Sequence, residues 1–180
     1  MSDVGARRLP LTIIGLGNEL LSDDGVGIKV VRELKKRLSP DDVQFEELAV
    51  GGLELLDYVS GCEECIIIDA VVTGRHPPGT AYRFVQTADR EVVSLRSSHQ
   101  VDLAQVLSLA ALMGADLPRT LTVYGIEADD VTTFRETCTA DVSRAIPLVV
   151  ERVCRHLEDL TGDHRTPTDE WEIIAESIVA

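Results

Sequence analysis

A short apolar strand that ends in glycines constrains the fold of this chain more than any other feature. Residues 12–14 are β-branched and suit a buried parallel strand. Gly15 and Gly17 let the backbone turn tightly after that strand. Apolar residues then recur at helical spacing from Val26 to Leu38. The order strand, glycine turn, helix predicts the first unit of an α/β fold.

Two adjacent acids, Asp23 and Asp24, lie between this strand and this helix. Either carboxylate can cap the helix, and one then remains for chemistry. Glycines after a first strand also suggest a dinucleotide site, but the residue three after Gly17 is Leu20, whereas the fingerprint requires glycine. The two acids would in addition repel phosphate groups. The pattern therefore favours a cation site or acid–base chemistry over nucleotide binding.

The composition predicts one acidic globular domain. The 180 residues carry a formal net charge of −14, and aromatic residues make up only 4%. Such a chain is repelled by nucleic acid and by anionic lipid, so we expect neither nucleic acid nor a membrane among its partners. The N-terminal region lacks the apolar segment of a signal peptide. These features predict a cytoplasmic protein.

Strand and helix patterns alternate along the chain. Strands are predicted at 43–50, 66–72, 81–85 and 121–126, and helices at 53–59, 103–111 and 142–153, the last capped by Thr139. This alternation predicts an α/β fold of three layers, a mostly parallel twisted sheet with helices on both faces. We expect a single domain at 1–157. We expect residues 158–180 to be an acidic tail, a flexible appendage with a terminal helix at 171–174. The alternative is a docking segment, because Trp171, Ile173 and Ile174 would be costly to expose.

Cys62 and Cys65 have the C-x-x-C spacing of zinc and redox sites. A structural zinc site needs a second close pair of ligands, whereas Cys138 and Cys154 lie sixteen residues apart. A thioredoxin-like pair opens a helix, but Cys65 leads directly into an apolar strand. We therefore expect reduced, buried thiols without a metal.

Asp69 interrupts the most apolar run of the chain, where an acid without a partner would be expensive to bury. Ligands of an open parallel sheet bind beyond the carboxyl ends of its strands, so Asp24 and Asp69 are predicted at the same edge. His99 precedes the helix at 103–111. Two carboxylates and one imidazole form an incomplete ligand set for a divalent first-row metal, with positions left open.

The order of these motifs resembles that of the hydrogenase maturation endopeptidases. The matching segments are Gly15-x-Gly17-Asn18, Asp23-Asp24-Gly25-x-Gly27, Ile68-Asp69-Ala70, Pro78-Gly79, Ser98-His99-Gln100 and Gly125-Ile126. The chain departs from the family at residues 47–52, where many members carry a D-x-G-T-x-G segment, and at Ala128, where proline is usual. Both departures concern the choice of partner more than the reaction.

The resemblance implies that Asp24, Asp69 and His99 are catalytic and contact nickel. It also implies removal of the C-terminal extension from a nickel-iron hydrogenase large-subunit precursor. The nickel would be carried by the substrate rather than held permanently by the protease. Asn18 and Gln100 are candidates to orient the three ligands. The alternative from another functional class is a checkpoint protein that binds a nickel-loaded precursor without cutting it.

Overall fold

The computed structural model describes residues 9–38, 43–49, 52–87, 103–159 and 172–175. The strands in these ranges are β1 (Leu9–Leu16), β2 (Gln44–Leu48), β3 (Cys62–Val71), β4 (Ala81–Thr87), β5 (Thr120–Glu127) and β6 (Glu172–Ala175). The helices are α1 (Val26–Lys35), α2 (Leu56–Val59), α3 (Leu103–Leu112) and α4 (Ala140–Asp159). Two 3-10 turns, Ser22–Gly25 and Gly52–Leu55, precede α1 and α2.

The strands form one mixed sheet in the order β2-β1-β3-β5-β4-β6. β1 pairs in parallel with β2 and β3, and β3 pairs in parallel with β5. β4 runs antiparallel to both of its neighbours, β5 and β6. The carboxyl ends of β1, β2, β3 and β5 therefore meet at one edge of the sheet, called the carboxyl edge below. The loops that follow these strands lie where open α/β sheets bind their ligands.

Alternating side chains of the central strands supply two separate cores. Ile13, Ile66 and Ile68 pack with apolar residues of α1 and α4 on one face. Ile14 and Ile67 pack with the α2 region on the other face. A sheet buried on both faces is typical of parallel α/β proteins. The predicted three-layer α/β class is confirmed.

The C-terminal tail differs from the sequence prediction. Its described residues 172–175 form β6, an edge strand on β4, and not the predicted helix. A four-residue helix has almost no stability of its own, whereas an open sheet edge offers backbone partners at once. Residues 158 and 159 continue α4, and the rest of the tail lies outside the described residues, so the domain boundary at 157 stays a prediction.

Among the described residues, no helix is both long and apolar enough to span a bilayer.

Candidate active site

A tight turn after β1 fixes Asp24 at the carboxyl edge. Gly17 has φ +143°, and a Cβ there would stand 1.9 Å from the backbone oxygen of Asp24. Only glycine allows this approach. The backbone N–H of Asn18 donates to Asp24 Oδ2 at 2.8 Å. Asp24 is 5% exposed, so the turn buries a carboxylate and orients it through the main chain.

The start of α1 lies directly against β1 and β3. A Cβ on Gly27 would stand 2.4 Å from the carbonyl oxygen of Leu16 and 2.2 Å from that of Ile68. Asp69 follows Ile68 within β3 and is 1% exposed. The close packing at Gly27 thus brings the segment that carries Asp24 to the part of β3 that carries Asp69. The predicted placement of both acids at one edge agrees with this geometry.

Asp23 has a structural role that differs from the predicted helix cap. Gly25 occupies the N-cap position of α1, so no side chain caps that helix. The 3-10 turn Ser22–Gly25 also begins without a side-chain hydrogen bond to its N-terminus. Asp23 Oδ2 instead accepts the backbone N–H groups of Asp129 and Asp130 at 3.0 Å. Its other oxygen, Oδ1, accepts the N–H of Thr139 at 2.6 Å. Asp23 therefore anchors the long loop after β5.

Thr139 immediately precedes α4, as predicted, but its hydroxyl donates to Asp23 Oδ2 at 3.0 Å. The start of α4 and the 3-10 turn before α1 are thereby joined through one carboxylate.

Asn18 is likewise confirmed as a neighbour of Asp24, with a different contact from the one expected. Its backbone N–H holds Asp24, while its side-chain oxygen accepts the N–H of Leu20 at 3.0 Å.

The third predicted ligand, His99, lies outside the described residues, as does Gln100. The three-residue site of Asp24, Asp69 and His99 therefore stays a prediction. In the ranges that the structure does describe, no group of three or more His, Cys, Asp or Glu side chains is placed to hold a metal ion. A ligand set that includes His99 therefore draws on a segment outside the described residues.

Glu127, the last residue of β5, is a buried acid that the sequence interpretation missed. Asp69 pairs with Gly125, so Glu127 lies two residues further along the neighbouring strand and on the same face as Asp69. The signal that singled out Asp69, an acid at the end of an apolar strand, applies equally to Glu127. Glu127 belongs to the carboxyl edge for the same reason.

The carboxylate of Glu127 anchors the loop between β3 and β4. Oε1 accepts the N–H groups of Thr73 and Gly74 at 2.7 and 2.8 Å. Oε2 accepts the hydroxyls of Thr73 at 2.5 Å and of Tyr82 at 2.8 Å. Like Asp23, Glu127 is saturated with hydrogen bonds from the protein. These two acids support the edge, whereas Asp24 and Asp69 remain the candidates for chemistry.

The phenol of Tyr82 gives this anchor a measurable pH dependence. Burial raises the pKa of Tyr82 to about 12, and the hydrogen bond to Glu127 and its charge act in the same direction, while Thr73 opposes them. The pKa of Tyr82 is thus higher in the folded state than in the unfolded state, so its neutral phenol stabilises the fold below about pH 10. This contribution to the free energy of unfolding disappears as the pH approaches 12. We expect the stability advantage of the unmodified protein over Tyr82→Phe to shrink across this range. Urea unfolding at stepped pH measures it, and an advantage that stays constant would contradict the assignment.

Cys62 and Cys65 are buried thiols of β3. The Cys62 thiol donates to the carbonyl of Val59 at 3.2 Å. A hydrogen bond with Cys62 and burial raise the pKa of the Cys65 thiol well above its ordinary value. The thiolate, which is both the nucleophile and the metal ligand, is thereby disfavoured. The structure supports the expectation of reduced, unreactive cysteines.

If the chain has the precursor-cleaving activity that its family resemblance implies, we expect the double variant Cys62→Ser, Cys65→Ser to retain it within about twofold, because neither thiol is poised to react. Its free energy of unfolding should fall by about 1–3 kcal/mol, since hydroxyls replace buried thiols. Cleavage of a precursor and thermal unfolding provide the two measurements. The matched control is Cys154→Ser on α4, where the thiol is only partly buried. A folded double variant without activity would contradict the interpretation.

Three kinds of comparison place this chain among known proteins. The family model described as hydrogenase maturation protease (HycI) matches residues 28–156. The hydrogenase 2 maturation protease of Escherichia coli (strain K12) is 35% identical over 121 residues, which cover 64% of this chain and 71% of that protein. The hydrogenase expression/formation protein HupD of Thiocapsa roseopersicina is 29% identical over 153 residues, covering 82% and 67% of the two chains.

Solved structures agree with the sequence matches. The hydrogenase maturating endopeptidase HybD from E. coli superposes with a TM-score of 0.71 at 30% identity, over 84% of this chain and 93% of that chain. The [NiFe] hydrogenase maturation protease HybD from Thermococcus kodakarensis gives a TM-score of 0.62 at 26% identity, over 82% and 98%. Together with the sheet and its carboxyl edge, these similarities show that the chain belongs to the hydrogenase maturation protease family, a family of endopeptidases.

Proposed function

We propose that this protease removes the C-terminal extension of a nickel-iron hydrogenase large-subunit precursor once nickel has been inserted. Asp24, Asp69 and His99 would contact the nickel that the precursor carries. One observation supports this most: Asp24 and Asp69 are 5% and 1% exposed, on segments that meet at the carboxyl edge. The relatives' names, which refer to hydrogenase maturation, agree with it.

Electrostatics favours a cation at this position. Two buried carboxylates at one edge repel each other, and a divalent ion between them neutralises their combined charge. Carboxylate oxygens and imidazole nitrogens both bind divalent first-row metals. The edge thus suits a metal-bearing peptide better than an anionic ligand such as a nucleotide.

The ligand chemistry favours an ion that arrives with the substrate. A permanent site usually has three or four firm protein ligands, often including thiolate. Asp69 lies four residues beyond Cys65 on β3, about 13 Å along the strand, so this thiol is too distant to add a ligand. Two carboxylates and one imidazole leave coordination positions that the precursor's own ligands would fill.

Such an ion would polarise the scissile carbonyl or a water molecule. A carboxylate of the pair, Asp24 or Asp69, would then accept the proton that the attacking water loses. The backbone N–H of Asn18 holds Asp24 in a fixed orientation for either task. Cleavage would in this way depend on successful nickel insertion.

We expect protease stripped of metal to cleave a nickel-loaded large-subunit precursor and to leave the nickel-free precursor intact. The reason is that the ion belongs to the substrate. The assay follows the mobility shift of the precursor, with each component depleted of metal separately. Equal cleavage of the nickel-free precursor would reject recognition through nickel. Nickel-dependent binding without cleavage would favour a non-cleaving checkpoint.

A further inference from the structure

The outer edge of β4 carries a strand from the chain's own C-terminal segment. β6 pairs antiparallel with β4, with Ala81 opposite Ala175, Tyr82 opposite Ile173, and Arg83 opposite Glu172. The register shifts between Ala81 and Tyr82. An exposed sheet edge presents unpaired N–H and C=O groups and readily accepts an extended peptide. The outer edge of β4 accepts such a peptide in the form of β6.

The pairing places that peptide in the same row as a candidate catalytic acid. Asp69 on β3 pairs with Gly125 on β5, and Gly125 pairs with Tyr82 on β4. Tyr82 pairs in turn with Ile173 on β6. Gly125 contributes no side chain to this row. With strands about 4.8 Å apart, β6 lies three spacings, or about 14 Å, from β3.

The direction of β6 also matters. β6 runs antiparallel to β4, and β4 runs antiparallel to β5, so β6 points in the same direction as β5. The C-terminal end of β6 therefore emerges at the carboxyl edge, where Ala175 lies opposite Ala81. A peptide bound in the same way presents its downstream residues to the edge that carries Asp24 and Asp69. At about 3.3 Å per residue, four or five further residues cover the 14 Å to β3.

We propose that the outer edge of β4 is the strand-addition site for an extended segment of the precursor just upstream of the scissile bond. β6 occupies this edge in the free protease, and the precursor segment displaces it. The inference rests on the proposed function and adds the surface that orients the substrate. Three features make β6 a weakly held strand that another peptide can displace. It has only four residues, its pairing with β4 contains a register shift, and the side chain of Ile173 is 38% exposed.

A disulfide that locks β6 in place tests this proposal in the full chain. Arg83 and Glu172 are antiparallel partners. Directly opposed residues of antiparallel strands have Cα atoms about 4.5–5.5 Å apart, which suits a disulfide between Arg83→Cys and Glu172→Cys. We expect oxidised glutathione to lower precursor cleavage by the double variant about 10-fold or more, and reductant to restore it. Each single-cysteine variant under the same oxidant is the control. If the oxidised, locked protease cleaves the precursor as fast as the same variant under reductant, the proposal is wrong.

A second readout does not depend on cleavage. Ile173→Pro removes a backbone donor from β6 and should release it, whereas Ile173→Val preserves the strand. We expect a fluorescently labelled synthetic peptide of residues 168–180 to bind the proline variant at least about 10-fold more tightly than the valine variant or the locked protein. Equal binding to all three would overturn the strand-addition site. The two proposals can also fail separately. If the peptide binds selectively to the proline variant, but neither the unmodified chain nor any variant cleaves the precursor, the strand-addition site stands and the proposed function is wrong.

Discussion

Asp69→Asn is expected to lower the rate of precursor cleavage by about 100-fold or more while the protein still folds. The amide is the same size as the carboxylate, so packing in β3 is retained, but it neither binds a divalent ion well nor accepts a proton near neutral pH. The rate is followed by the mobility shift of a nickel-loaded precursor. Circular dichroism and thermal unfolding establish whether the variant is folded.

The same loss is expected for Asp24→Asn and for His99→Ala, because each removes one ligand from the proposed set. Asp57→Asn, an exposed acid-to-amide change on α2, is the matched control and should leave cleavage unchanged. If all three site variants process the precursor at the normal rate, the site assignment is wrong. Loss in the control variant would show that net charge, rather than position, governs the reaction.

Gly17→Ala should both destabilise the fold and disable the site. The added Cβ would stand 1.9 Å from the Asp24 backbone oxygen, and the residue would have to hold φ +143°. Backbone strain of about 1–2 kcal/mol and overpacking of about 1–3 kcal/mol together predict a loss of about 2–5 kcal/mol in the free energy of unfolding. Since Asp24 must move, we expect cleavage to fall as well. Urea unfolding and the precursor assay measure the two effects.

Gly61→Ala separates strain from collision. Gly61 also has a positive φ, +81°, but its added Cβ would meet no atom within 4 Å. This variant should lose only about 1–2 kcal/mol through backbone strain, and it should keep its activity. Equal losses of stability at the two positions would show that strain, rather than the close approach to Asp24, explains the requirement for glycine at position 17.

The local sequence was sufficient to predict most of the fold. The isoleucines at 66–68 predicted a central strand because a strand buried on both faces must be apolar at every position, and β3 lies between β1 and β5. β6 was not predictable in the same way. Its partner β4 lies some ninety residues earlier in the chain, and short segments take the structure that their partners impose.

The positions of the two candidate acids, Asp24 and Asp69, were predictable from the sequence, whereas the three-residue site stays a prediction. Asp24 and Asp69 stood out because acids at strand ends meet at one edge, and the structure brings their segments together. What the sequence could not distinguish was the role of each acid. Asp23 and Asp24 are adjacent and chemically identical, yet Asp23 contacts a loop more than a hundred residues away. Such long-range hydrogen bonds leave no local pattern.

The anchoring of the loop after β5 has a consequence for how freely this part of the protease surface can change in evolution. Three of the hydrogen bonds to Asp23 come from main-chain N–H groups, of Asp129, Asp130 and Thr139. Every residue except proline carries that group, so the loop can exchange its side chains, including the 79% exposed Phe134, without losing its anchor. The exposed side chains of this loop can therefore change while the neighbouring residue, Asp24, keeps its place. A single peptide bond thus separates the residue that anchors a variable surface loop, Asp23, from the candidate site residue Asp24.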